Sequence, residues 1–173
     1  MTETSFTPVD FDPFAGGELL LTAPVTEAQK EIWLSVQMGD EANCAFNESE
    51  SLRLRGSLDV EALKMAIQQL IERHETLHTT FSPDGNTLCV LPAPVINIPV
   101  IDLAGLNKAE QANQLAEILR LEVEQPFDLE YGPLAQAQIV RLGPDEHQLI
   151  ITIHHIVCDG WSWGVLMPEL GKF

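Results

Sequence analysis

A run of apolar residues near the end of the chain supports the clearest structural prediction. Leu149-Ile150-Ile151-Thr152-Ile153 is apolar at every position except Thr152. Strands that are covered on both faces have continuous runs of this kind, whereas half-buried strands alternate. We therefore predict an interior strand over about residues 147–154, preceded by a strand over about residues 134–142.

Weaker patterns predict the other strands. Leu52 and Leu54 alternate with arginines, which is typical of a half-buried strand, here over residues 50–55. The turn residues Ser82-Pro83-Asp84-Gly85-Asn86 predict a hairpin between two short strands. Short strands are expected at residues 18–21, 77–81 and 88–91.

Three windows carry apolar residues at helical spacing, and a fourth helix is expected near the end of the chain. Thr26 and Gln29 fit a capping box, so the first helix is expected to begin near Thr26. Asp59 suits the start of the second helix, and Pro126 should end the third, because proline cannot continue a helix. The last three helices are predicted at about residues 59–73, 108–124 and 161–170.

The order of these elements predicts the α/β class, as an α+β two-layer sandwich in which a mixed β-sheet has helices packed mainly on one side. Residues 1–16 lack any periodicity and contain Pro8 and Pro13, so we interpret them as a flexible leader. Residues 17–173 are expected to form one domain. A chain of 173 residues is long enough to bury a sizeable core.

Composition and charge argue against several functional classes. Nine basic against 26 acidic residues give a formal net charge of −17, which disfavours nucleic acid or an anionic membrane as a partner. Cys44, Cys89 and Cys158 are widely spaced, which predicts reduced thiols rather than disulfides or a zinc site. The chain has neither a signal-peptide pattern nor a membrane-length apolar run, so a cytoplasmic location is expected.

The segment His154-His155-Ile156-Val157-Cys158-Asp159-Gly160-Trp161-Ser162 lies where the predicted interior strand ends. Because side chains alternate along a strand, His155 should share a face with Ile153, while His154 points to the other face. The two imidazoles then cannot hold one metal ion, and no metal site is predicted. A partly desolvated histidine at a strand end is suited to general-base work near neutral pH.

The residues that follow the two histidines have candidate roles of their own. A carboxylate at Asp159 could pair with a cation and so fix the loop. Gly160 would allow a close approach of the backbone and could offer its N–H to a developing oxyanion. Cys158 is a conceivable nucleophile beside His155, but a small buried thiol is the simpler interpretation.

Four segments, in the same order along the chain, resemble motifs of the condensation domains of nonribosomal peptide synthetases, which are relatives of chloramphenicol acetyltransferase. The histidine segment resembles the HHxxxDG signature of that family, and residues 73–81 resemble its RHExLRTxF motif. Residues 26–33 are similar to the early helix motif of the family. Residues 126–134 are similar to the family segment that precedes the two strands predicted here over residues 134–142 and 147–154.

The resemblance implies a chloramphenicol acetyltransferase-like fold of two lobes, with only the N-terminal lobe present and the second lobe absent. It implies amide formation, in which an acyl or peptidyl group leaves a carrier-protein thioester for the amine of a second, carrier-bound aminoacyl group. No cofactor is expected to be bound, since the phosphopantetheine arms belong to the donor and acceptor carrier proteins. The missing lobe and neighbouring synthetase domains are the other expected partners.

The family signature also implies a role for each site residue. His155 is the expected catalytic residue, which deprotonates or positions the amine. His154 is expected to be a packed, orienting residue and not a second base. Asp159 is expected to be structural and to be held by an arginine. His78 stands where the family motif has its second arginine, which leaves Arg73 as the nearest motif candidate for that contact.

Trp161 after Gly160 favours the peptide-forming type of condensation domain over an epimerisation domain. Its side chain is expected to pack, with a place in the wall of the donor tunnel as the alternative. Two alternatives stay open. A coenzyme A-dependent acyltransferase relative is disfavoured by the early helix motif, and a non-catalytic carrier-docking lobe is disfavoured by the intact signature. Without the second lobe, the isolated chain is expected to be inactive, to expose an apolar face and to self-associate through it.

Overall fold

The computed structural model describes residues 19–173, which contain seven β-strands and five α-helices. The leader predicted over residues 1–16 lies outside the described residues. The strands are β1 (Leu21–Pro24), β2 (Asn47–Arg55), β3 (Thr79–Phe81), β4 (Thr87–Val90), β5 (Val100–Asp102), β6 (Ala135–Gly143) and β7 (Glu146–His154). The helices are α1 (Glu27–Val36), α2 (Asp40–Cys44), α3 (Val60–Arg73), α4 (Lys108–Val123) and α5 (Gly160–Leu170).

The strands form two sheets. A small antiparallel sheet has the order β1-β4-β3, and its β3–β4 pair is the hairpin predicted around residues 82–86. The larger sheet has the order β2-β7-β6-β5, in which β5 runs parallel to β6 and the other pairs are antiparallel. The predicted mixed sheet is confirmed, and β7 lies in its interior, as the continuous apolar run of this strand requires.

Helices cover both faces of the larger sheet. On one face, Ile139, Leu149 and Ile151 pack with apolar residues of α3 and α5. On the other face, Val140 and Ile150 pack with apolar residues of α4. The sequence predicted helices mainly on one side of the sheet, in two layers. Helix α4 adds a third layer, because β6 and β7 carry apolar side chains on both faces and each face must be covered.

Local sequence signals located the helix starts correctly. Thr26 caps α1 in a capping box with Gln29, as predicted, and the side chain of Asp59 caps α3. The strand expected at residues 77–81 is shorter, because Glu75–His78 forms a single 3₁₀ turn before β3 begins. The hydrogen bond between Leu77 N–H and the carbonyl of His74, at 2.8 Å, closes this turn.

Candidate active site

The loop between β7 and α5 is held from two sides. His155 N–H donates to the carbonyl of Phe46, the residue before β2, at 2.8 Å. Gln29 of α1 donates from Nε2 to the carbonyl of Ile156 at 3.2 Å. The first helix and the start of β2 therefore fix the backbone that carries the two histidines, and this determines where their side chains point.

His154 is fully buried and serves the packing of the loop. Its ring centroid lies 6.0 Å from those of Phe46 and Phe127. Nδ1 accepts a hydrogen bond from Ile156 N–H at 3.2 Å, which places the ring proton on Nε2. Burial lowers the pKa of His154 to about 4, and the charge that His155 carries when protonated acts in the same direction. The side chain is therefore neutral at physiological pH.

His155 lies beside a carboxylate and is partly open to solvent. Its Nδ1 is 2.6 Å from Oε1 of Glu48, and 38% of its side chain is exposed. The carboxylate oxygen does not lie along the N–H direction, so the contact is electrostatic rather than a formed hydrogen bond. Glu48 is opposite Ile153 in the β2–β7 pair, and opposite residues share a face. His155 thus points to the face that strand alternation predicted.

Asp159 acts as the N-cap of α5. Its carboxylate accepts hydrogen bonds from Ser162 N–H at 2.8 Å and from Ser162 Oγ at 2.7 Å, and Ser162 Oγ in turn accepts from Asp159 N–H. The hydrogen bonds from Ser162 lower the pKa of Asp159, and the positive charge of His155 contributes to the same effect. The side chain fixes the start of the helix by capping it.

Gly160 is the first residue of α5. A Cβ built at this position would meet no atom of the described chain within 4 Å. The close backbone approach expected at this glycine is therefore not seen among residues 19–173.

A family model described as "Condensation domain" matches residues 21–173. The chain belongs to the condensation-domain family. The chondramide synthase cmdD of Chondromyces crocatus is 38% identical over 148 residues, which cover 84% of this chain and 4% of that synthase. The malpibaldin synthetase of Mortierella alpina is 38% identical over 147 residues, which cover 83% of this chain and 3% of that synthetase. The chain therefore spans only a small part of these relatives.

A solved structure supports the same family. The starter condensation domain of rhizomide synthetase matches with a TM-score of 0.76 and 25% sequence identity, over 87% of this chain and 38% of that chain. The α/β class agrees with this likeness, and the present chain corresponds to the N-terminal part of a condensation domain.

The arginine expected beside Asp159 is not Arg73. Arg73 Nε lies 3.2 Å from Oε2 of Glu169, and Asp159 forms no ion pair with any of residues 19–173. Arg73 ends α3 next to the carboxyl end of α5, whereas Asp159 caps its amino end. The 11 residues of α5 separate these ends by about 15 Å, too far for the Arg73 side chain to reach.

The 73–81 motif contains two histidines, and both make structural contacts. His78 is buried, and its Nδ1 contacts the carbonyl of Leu91. His74 Nε2 lies 2.7 Å from Oε2 of Glu169, so it shares that carboxylate with Arg73. The hydrogen bond from His74 lowers the pKa of Glu169, and the charge of Arg73 adds to it. This motif therefore ties α3 to α5 in the present chain.

Trp161 is exposed to 83%, so it does not pack in the core of this chain. It lines a cleft of about 180 Å³ with Leu77, Val157 and Val165. Trp163 is the tryptophan that packs inward, and its indole Nε1 donates to Oε2 of Glu48 at 2.9 Å. Whether Trp161 forms part of a donor tunnel stays a prediction.

The chemistry of Cys158 does not suit a nucleophile. Its thiol is buried, and burial together with the negative charge of Glu48 raises the pKa of Cys158 to about 12. The reactive thiolate is therefore scarce near neutral pH.

Across residues 19–173, no group of three or more potential ligand side chains is arranged to hold a metal ion. No helix in the same range is sufficiently long and apolar to cross a bilayer.

Glu48 is the site residue that the sequence pattern did not reveal. The strand predicted over residues 50–55 begins earlier, at Asn47, and its first four residues, Asn-Glu-Ser-Glu, are all polar. No alternation of apolar and polar residues marks this part of the strand. The spacing of Glu48 and Glu50, two residues apart and hence on one face, was the available signal.

Proposed function

We propose that this chain is the part of an amide-forming condensation domain that carries the catalytic base, His155. The observation on which this rests is the contrast between the two signature histidines. His154 is enclosed and neutral, whereas His155 keeps a partly exposed ring on the face of the sheet that carries Glu48. Membership of the family and the synthases among its relatives support the same activity.

The proposed reaction joins two carrier-bound groups. The amine nitrogen of the aminoacyl acceptor attacks the carbonyl carbon of the donor thioester, a C–N bond forms, and the C–S bond breaks with its electron pair on sulfur. His155 Nε2 takes the proton that the amine loses and passes it to the thiolate, which leaves as a thiol. Both groups arrive on phosphopantetheine arms of carrier proteins, so this domain needs no cofactor of its own.

The complete domain is required for this activity. The chain corresponds to 38% of the solved starter condensation domain, and the remainder of such a domain would supply the facing wall of the cleft. We expect the isolated chain to be inactive for this reason.

The test compares His155→Ala with His154→Ala in a complete condensation domain that contains this chain, with donor and acceptor carriers loaded and the acyl group followed to the acceptor. His155→Ala should reduce product formation by about 10²–10⁴-fold without changing the melting temperature. His154→Ala should act mainly by lowering the melting temperature. Full turnover of His155→Ala, with loss of activity in a folded His154→Ala, would reverse the assignment.

Two further outcomes concern the rival functions. If neither histidine affects product formation, the carrier-docking alternative replaces the enzymatic one. If acyl-coenzyme A replaces the loaded donor carrier without loss of rate, the donor is a coenzyme A thioester instead.

A further inference from the structure

One carboxylate contacts both the proposed base and the helix that follows it. Oε1 of Glu48 lies 2.6 Å from Nδ1 of His155, and Oε2 accepts a hydrogen bond of 2.9 Å from the indole of Trp163. Each oxygen thus has its own partner. Only 30% of the Glu48 side chain is exposed, so the pair of contacts lies largely within the protein.

From this geometry we propose that Glu48 is a positioning residue that holds His155 with its proton on Nδ1 and leaves Nε2 free to accept a proton from the amine. The inference rests on the proposed function, because it concerns the orientation of the same base. A carboxylate close to one ring nitrogen of an imidazole favours the proton on that nitrogen, because the negative charge attracts the N–H group, and this selects one tautomer. Nδ1 of His155 is buried 2.6 Å from Oε1 of Glu48 without an aligned hydrogen bond, and 38% of the His155 side chain is exposed.

The indole of Trp163 determines which oxygen remains for His155. Trp163 is buried on α5, and its N–H occupies Oε2, which leaves Oε1 facing the histidine. The negative charge of Glu48 is also felt at Cys158 on the same loop, where it is the second cause of the raised thiol pKa after burial. The present Glu48–His155 contact is not aligned as a hydrogen bond, and such contacts often tighten when substrate binds.

The first experiment measures the tautomer directly, without reference to activity. The chain is labelled with ¹⁵N at histidine, the His155 signals are assigned with His155→Ala, and spectra are recorded well above the ordinary histidine pKa of about 6.5. The parent should show the Nδ1–H tautomer, and Glu48→Leu should show a mixture of tautomers. Glu48→Gln keeps one acceptor oxygen and should fall between them.

Glu50→Leu is the matched control. Glu50 lies two residues further on the same strand and faces the same side, but it is exposed and pairs across the sheet with Ile151. Its replacement removes an equal charge from β2 without touching His155, so the His155 spectrum should not change.

The second experiment measures kcat and KM in the complete condensation domain. Loss of an orienting partner costs about 10–100-fold where an imidazole is held in this way on a metal. Glu48→Leu should therefore lower kcat by about ten-fold or more, with little change in the KM for the loaded acceptor carrier. Glu48→Gln should recover part of the loss, and Glu50→Leu should leave both constants unchanged.

The two experiments separate this inference from the proposed function. An unchanged His155 tautomer in Glu48→Leu overturns the positioning role, whatever the activity of His155→Ala. A change of tautomer together with full activity of His155→Ala leaves the positioning role in place and overturns the proposed base. An equal loss of kcat in Glu48→Leu and Glu50→Leu would also contradict the inference, because it would trace the loss to strand β2 as a whole.

Discussion

His154 and His155 are adjacent in the chain, yet the first is completely buried and the second exposes 38% of its side chain. The end of β7 explains the difference. His154 is the last residue of the strand and points toward Phe46 and Phe127, whereas His155 follows the strand and points toward Glu48. The same residue type therefore has two different environments at neighbouring positions.

The buried histidine should make the chain sensitive to acid. The pKa of His154 is about 4 in the folded chain and near 6.5 when unfolded, so between these values the unfolded state binds the additional proton. The contribution of His154 to the unfolding free energy is therefore fully present above pH 6.5. It is lost as the pH falls toward 4, by about 3 kcal/mol in total. Urea unfolding from pH 4.5 to 7.5 should show this slope.

The variant His154→Gln isolates the contribution of this one group. It cannot titrate, so its unfolding free energy should fall less steeply with acid, by roughly 1 kcal/mol per pH unit in the window. Its overall stability should be lower at pH 7.5, since glutamine fills the site less well. Identical slopes in the parent and in His154→Gln would contradict the prediction.

Asp159 should stabilise the chain as a helix cap and not as one half of an ion pair. Asp159→Ala removes the acceptor for Ser162 N–H and should lower the melting temperature by about 2–4 °C. Asparagine is an equally good N-cap, so Asp159→Asn should melt near the parent temperature. A loss in Asp159→Asn as large as that in Asp159→Ala would show that the negative charge of Asp159, and not its capping hydrogen bond, is what matters.

Gly85 should be required for the packing of α1, the helix that carries Trp33. Its φ is +63°, and a Cβ placed there would overlap with the indole ring of Trp33. Gly85→Ala should therefore lower the unfolding free energy by about 2–4 kcal/mol, because backbone strain and overpacking act together. The control is the same Gly85→Ala substitution in a Trp33→Ala background, where the backbone strain remains but the contact with the indole ring is gone. An equal loss with and without Trp33 would refute the contact.

The parts of the fold that could be predicted from sequence depend on near neighbours. The capping box of Thr26 and Gln29 lies within one turn of α1, and the apolar run of β7 specifies an interior strand without knowledge of its partners. The alternation of His154 and His155 is equally local, and their predicted opposite orientation is what the structure has. For such features, the spacing of residues along the sequence is sufficient to predict the local structure.

The parts that could not be predicted depend on residues that are distant in the chain. Glu48 contacts His155 only because β2 pairs with β7, and no local sequence pattern predicts that contact. The motif suggests Arg73 as the partner of Asp159, but α3 packs against α5 so that Arg73 contacts Glu169 instead. Tertiary pairing, and not local propensity, decides such contacts.

The exposed face of α5 should make the isolated chain self-associate. Trp161 and Val165, one helical turn apart, are exposed to 83% and 40% and line the same cleft. An apolar surface of this kind is normally covered, and the remainder of a condensation domain is the expected cover. Without it, two copies of this chain should associate through α5, which sedimentation velocity at increasing concentration would detect.

The variant Trp161→Ser should shift the isolated chain toward monomer, because it removes the largest apolar side chain of that face. Met38→Ser provides the control, since Met38 is exposed to 84% but follows α1 and does not line the α5 cleft. It should leave the association unchanged. A parent chain that stays monomeric at all concentrations, or a Met38→Ser variant that dissociates as readily as Trp161→Ser, would show that the α5 face is not the contact surface.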